Sequence, residues 1–75
     1  MPTFKKINGC RKDVNGYKYW YVDNRLHREN GPAIEHSNGY KQWWLYNKHY
    51  LEPDYYRELY NRGKITREEL FIHLL

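Results

Sequence analysis

The residues that could do chemistry in this sequence do not assemble into a catalytic or metal-binding set. The four histidines stand at positions 27, 36, 49 and 73, and none forms the close ligand pair of a zinc site. Cys10 lies beside Arg11 and Lys12, whose charge favours a thiolate, but no general base flanks it. Ser37 follows His36 without the strand-to-helix elbow that activates a hydrolase serine. Gly9, Gly16, Gly31 and Gly39 each follow an asparagine, the signature of isolated turns rather than of a phosphate-cradling loop. The adjacent carboxylates Glu68 and Glu69 follow Thr66, where Glu69 has a helix-capping role. These residues predict no enzyme, no catalytic residue, no metal and no cofactor.

A binding surface is the chemistry that remains. Aromatic residues make up 19% of the chain, nine of them Tyr and three Trp. Such rings pack on one side and keep a polar tip in water. Residues 1–50 hold nine Lys and Arg against four acids, and residues 51–75 hold four against five. Basic side chains interleaved with Tyr and Trp suit a protein partner, since Trp, Tyr and Arg dominate interface energetics. They equally suit single-stranded RNA or DNA, where rings stack on bases and cations neutralise the backbone. The partner-binding residues expected are Tyr19, Tyr21, Trp44 and Tyr46 as anchors, with Arg25, Arg28 and Lys48 as a charged rim. The reading left open here is that helices cover the Tyr-rich surface and make it a second small core.

The elements that must position these residues follow from an internal repeat. Asn15-Gly16-Tyr17-Lys18-Tyr19-Trp20 returns 23 residues later as Asn38-Gly39-Tyr40-Lys41-Gln42-Trp43. A repeat sets the architecture and is read before local detail. Each unit is β: an Asn-Gly turn, then a run of Tyr, Trp and Val that favours a pleated surface. Asp23-Asn24 and Asn47-Lys48 are expected as the next turns, residues 25–28 and 33–36 as short strands, and residues 4–7 as an added edge strand. Strand alternation puts Lys18, Trp20, Val22, Lys41, Trp43 and Leu45 on one face, expected to be the core. It puts Tyr17, Tyr19, Tyr21, Tyr40, Gln42, Trp44 and Tyr46 on the other.

After residue 51 the pattern turns helical. Pro53 and the acids Glu52 and Asp54 suit a helix start, and Tyr55, Tyr56, Leu59 and Tyr60 fall at helical spacing. Gly63 stops the helix. Thr66 and Glu69 form a capping-box pattern that opens a second helix, with Leu70, Phe71, Leu74 and Leu75 as its apolar stripe. The fold class expected is α+β: a small antiparallel β-meander over residues 1–51, capped by two short helices over residues 52–75, all in one domain. One Cys excludes a disulfide-framed scaffold. No apolar run approaches the ~20 residues of a membrane span, and no signal-like stretch opens the chain, so a cytoplasmic protein is expected. Exposed strand edges and the aromatic face predict a homodimer.

Residues 20–35 resemble a repeat of bacteriophage and giant-virus proteins, in which a Trp strand and a turn precede His-Arg-x-x-Gly-Pro-Ala and another short strand. Here that run is His27-Arg28-Glu29-Asn30-Gly31-Pro32-Ala33. In general shape the unit is similar to the MORN (membrane occupation and recognition nexus) hairpin repeat, without its glycine spacing. The resemblance covers residues 15–50, about half of the chain. The second unit departs from it, since Tyr50-Leu51-Glu52-Pro53 replaces the His-Arg and Gly-Pro-Ala elements. The resemblance implies a small phage protein of the host cytoplasm that binds and inhibits or redirects a host protein, such as a defence or transcription factor.

Overall fold

The computed structural model describes residues 5–75. Six antiparallel strands precede two helices: β1 Gly9–Lys12, β2 Lys18–Val22, β3 Arg25–Leu26, β4 Ile34–Glu35, β5 Lys41–Leu45, β6 Lys48–Tyr50, α1 Glu52–Asn61 and α2 Arg67–Leu74. The fold is α+β, a β-meander followed by two C-terminal helices. The sheet order is β1-β2-β4-β5-β6, with β3 also pairing β2. Strands β3 and β4 therefore act as one interrupted strand, broken by the loop that carries Arg28-Glu29-Asn30-Gly31-Pro32. The first strand lies later than the expected 4–7, and Phe4 lies outside the described residues.

The repeat is visible in the backbone. Asp23 and Asn24 have φ of 49° and 68°, and 23 residues on Tyr46 and Asn47 have 45° and 67°. Positive φ at both central residues makes a turn whose twist suits a hairpin. Each turn's Asn reaches back to the neighbouring strand region. Asn24 accepts from Ile7 N–H and donates to its carbonyl, and Asn47 does the same with Leu26. The second turn is thus Tyr46-Asn47, one residue earlier than the Asn47-Lys48 expected. A bulky residue in this conformation is uncommon. Here its N–H donates to His27 Nδ1 at 3.0 Å, and its ring stacks on the His27 imidazole at 3.9 Å.

The other turns repeat as well. Asp13 N–H donates to the Tyr17 carbonyl and Gly16 N–H to the Asp13 carbonyl; His36 N–H and Gly39 N–H make the matching pair. The Asp13 carboxylate accepts from Asn15 N–H, and His36 Nδ1 accepts from Asn38 N–H. Desolvation pushes the Asp13 carboxyl up, but the Tyr17 and Asn15 N–H groups and the Tyr19 hydroxyl outweigh it, so its pKa is lowered.

Register fixes the faces. Directly opposed residues share a face: Tyr19 lies opposite Ile34, which lies opposite Gln42; Lys18 lies opposite Glu35, which lies opposite Lys41. Leu45, Tyr55 and Leu59 form the buried core, with Trp43, Tyr50, Tyr56 and Ile65 packed against it. Every sheet residue in that cluster belongs to the Trp43 face, so α1 packs on that face over β5, and α2 packs on α1. The principal dimensions are 46 × 33 × 15 Å, too thin for a sheet sandwiched between helices on both sides. Trp20 shares the helix-bearing face but is only half-buried, roofed by Arg28 instead of by helix.

The helices end as their sequences direct. Lys64 N–H donates to the Leu59 carbonyl and Gly63 N–H to the Tyr60 carbonyl, a Schellman closure with Gly63 at φ 72°. Thr66 Oγ1 accepts from Glu69 N–H at 3.1 Å, and Glu69 Oε1 accepts from Thr66 N–H at 3.0 Å. The Thr66 backbone N–H, and then the Thr66 hydroxyl, lower the pKa of the Glu69 carboxyl. Thr66→Ala removes one of them and lowers stability by ~1 kcal/mol, checked by urea titration. The apolar stripe expected on α2 is not covered: Phe71, Leu74 and Leu75 are exposed and Leu70 is half-buried. An eight-residue helix docked only on α1 has too little neighbouring surface to bury all of them.

Candidate functional site

The sheet face opposite the helices carries two parallel rows of side chains. Tyr17, Tyr19 and Tyr21 line β2 and its entry, with ring centroids 6.1 and 6.5 Å apart and planes within about 30° of each other. Tyr40, Gln42 and Trp44 line β5, 23 residues on in the repeat. There the Gln42 side chain bonds the Tyr40 hydroxyl and accepts from Trp44 Nε1 at 3.0 Å. Between the rows, Ile34 of β4 is buried. Tyr17 and Tyr40 meet edge-on at 6.0 Å, and His49 lies beside Trp44 at 5.1 Å. The Tyr19 hydroxyl donates to Asp13 at 3.1 Å. Desolvation and then the Asp13 carboxylate raise its pKa, so it stays a neutral donor. The rings are thus held in place by one another before any partner arrives.

Charge is sorted by face. On the paired strand residues, the aromatic face carries one formal cation, Arg11, opposite Tyr19. The opposite face carries Lys12, Lys18, Arg25, Lys41 and Lys48 with one acid, Glu35. Alternation sets this result on β2 and β5: Lys18 stands between Tyr17 and Tyr19, and Lys41 between Tyr40 and Gln42, and a neighbouring residue is on the other side of the sheet.

The seven residues expected to bind a partner therefore do not form one patch. Tyr19, Tyr21 and Trp44 come together on the aromatic face. Arg25 and Lys48 oppose Val22 and Leu45 on the other face. Arg28 is not a rim charge. Its guanidinium lies 3.9 Å over Trp20, bonds Glu35 at 2.6 Å and the Pro32 carbonyl at 3.1 Å, and its Nε donates to Asn30 at 3.0 Å. A Cβ at Gly31 would come within 3.2 Å of that guanidinium, which explains the glycine. Tyr46 is a turn residue stacked on His27 and does not continue the Trp44 row. Sequence reasoning did not name Tyr40, Gln42 or His49 as site residues. The alternation already places Tyr40 and Gln42 on this face, and carrying it on to β6 would have added His49.

His27 is a buried polar residue. Its Nδ1 accepts from Tyr46 N–H, so its hydrogen sits on Nε2 and donates to Glu29 at 2.8 Å. Beside it lies a cavity of about 610 Å³ lined by His27, Arg28, Glu29, Asn30, Tyr46 and Lys64 among others. His36 Nε2 pairs with the Asn15 carbonyl at 3.0 Å, tying the repeated turns together, and His73 stacks on Tyr56 at 3.8 Å. Among the described residues, no three His, Cys, Asp or Glu side chains converge on a metal-sized site. No described helix is long and apolar enough to cross a membrane. Compared with protein-family models, curated proteins and solved structures, the chain has no significant match.

Proposed function

We propose that this protein is a non-catalytic binding module that docks a partner protein on the Tyr17/Tyr19/Tyr21/Trp44 face of its sheet. One observation carries the reading. The helices pack on the other face, leaving a pre-ordered aromatic surface that holds almost no charge. Interface centres have that composition, rich in Tyr and Trp and poor in charged residues. A nucleic-acid stacking platform needs cations beside its rings, and here the cations stand behind them. The resemblance of residues 15–50 to phage and giant-virus repeats supports a host protein as the partner and inhibition or redirection as the outcome.

Trp44→Ala and Tyr21→Ala each remove an anchor ring of this surface. With the far-UV spectrum and melting temperature near those of the parent, each weakens partner capture ~30-fold, about 2 kcal/mol. Arg25→Ala, on the opposite face, leaves capture unchanged. Capture that survives both aromatic variants, or that is lost with Arg25→Ala, contradicts the reading. Light scattering identifies the case in which the partner is a second copy: the parent then runs as a dimer and Trp44→Ala as a monomer.

A further inference from the structure

We infer that the helix-bearing face holds a second site, where a row of lysines takes the phosphodiester backbone of a nucleic acid. Lys12 lies directly opposite Lys18, Lys18 opposite Glu35, and Glu35 opposite Lys41. The four residues cross β1, β2, β4 and β5 in one line. With strands about 4.8 Å apart the line spans about 14 Å. Glu35 does not neutralise the lysines, because its carboxylate is held at 2.6 Å by Arg28. Among the described residues, Lys12, Lys18 and Lys41 make no ion pair. Like charges directly opposite one another in a sheet destabilise it, so Lys12 and Lys18 are placed together at a cost to the fold. A bound anion would offset that cost.

The ground beside the row suits a phosphate. The two repeated turns flank a depression of about 350 Å³ lined by Lys12, Gly16, Lys18, Glu35, His36 and Ser37. His36 is occupied by its bonds to Asn15 and Asn38. The Ser37 side chain is exposed and has no hydrogen bond among the described residues. It leaves a hydroxyl donor beside two ammonium groups, and Lys41 supplies the next cation along the line. A linear set of cations on an open sheet follows a chain of phosphates better than it holds one. The rings on this face are engaged, Trp20 beneath the Arg28 guanidinium and Trp43 and Tyr50 against the helix core, so the site reads backbone and not bases. It is separate from the protein-docking face and stands or falls without it.

The test is fluorescence anisotropy of a labelled twelve-residue oligothymidylate with the whole protein, between 50 and 200 mM salt. Three backbone contacts give a slope of about −2 in log affinity against log salt, roughly a 20-fold loss over that range. Lys18→Gln reduces the slope by about 0.7 and melts no lower than the parent, because it also relieves the repulsion with Lys12. Trp44→Ala leaves the titration unchanged. Absence of binding at 50 mM salt overturns the inference, as does a slope untouched by Lys12→Gln, Lys18→Gln and Lys41→Gln together. Loss of binding with Trp44→Ala places the strand on the aromatic face instead. Displacement by inorganic phosphate at constant ionic strength makes the site one for a single phosphate, and overturns the backbone assignment.

Discussion

Tyr55→Phe lowers the stability of this protein by about 2 kcal/mol, although it removes only one oxygen. Tyr55 is fully buried between α1 and the sheet. Its hydroxyl sits against the Arg28 carbonyl, lies 3.0 Å from the Gly31 carbonyl and accepts from Gly31 N–H at 3.4 Å. That oxygen is what joins α1 to the loop interrupting β3 and β4. Phe fills the same space and leaves the loop's buried polar groups without partners, which costs more than a surface hydrogen bond returns. Tyr55→Ala also empties the centre of the core, at ~3–5 kcal/mol. A domain of this size has about that much stability in total, so the Ala variant is unfolded.

The same hydroxyl sets an alkaline limit. Desolvation, only partly offset by the Gly31 bond, pushes the Tyr55 pKa up from 10.0 to about 12. The folded state therefore holds this proton more tightly than the unfolded chain. The contribution is complete below pH 10 and is lost as pH rises through 12, amounting to ~2–3 kcal/mol at 1.36 kcal/mol per unit. Urea midpoints between pH 9 and pH 12 fall more steeply for the parent than for Tyr55→Phe. Parallel curves for the two proteins would contradict the assignment.

Arg28→Lys costs ~2 kcal/mol, a large effect for a substitution that keeps the charge. The guanidinium serves four partners at once: the Trp20 ring, Glu35, the Pro32 carbonyl and Asn30. A planar fork can stack on an indole while its N–H groups bond in the plane, and an ammonium cannot. Both members of the Arg28–Glu35 pair are more than half covered, with side-chain exposures of 22% and 32%, so solvent screens the pair only in part. Removing Arg28 also uncovers Trp20, which no helix roofs. The tryptophan emission of Arg28→Lys shifts to the red before any unfolding. Combining Arg28→Lys with Glu35→Gln costs ~1 kcal/mol less than the two single losses summed, since contacting residues couple.

The fold was legible because several levels of the sequence agree. The 23-residue repeat, the Asn-Gly turns and the Tyr/Trp alternation all specify the same ribbon, and the capping box and Gly63 bound the helices within a residue. Alternation also separated the Trp20/Trp43 face from the Tyr face correctly. The site was harder to read. Treating Tyr, Trp, Arg and Lys as one mixed surface ignored that neighbours along a strand point to opposite sides, so anchors and rim were drawn from different faces. Tyr46 was misplaced because its residue type favours a strand, while tertiary bonds to His27 hold it in a turn. Arg28 looked exposed by type, and its role as a roof over Trp20 depends on a loop fold that no local pattern encodes. Which face the helices cover rests on Tyr55 meeting Leu45 and on the Gly31 loop, contacts distant in sequence.

The central claim is that the two faces of one thin sheet meet different partners. Positions 41 and 42 are neighbours on β5 that face opposite sides, so a photo-crosslinking residue at each site tests it directly in cells making the protein. The account predicts a discrete protein adduct from position 42, abolished by Trp44→Ala, and a nuclease-sensitive adduct from position 41. The same protein adduct from both positions, or one from position 41 alone, would contradict it.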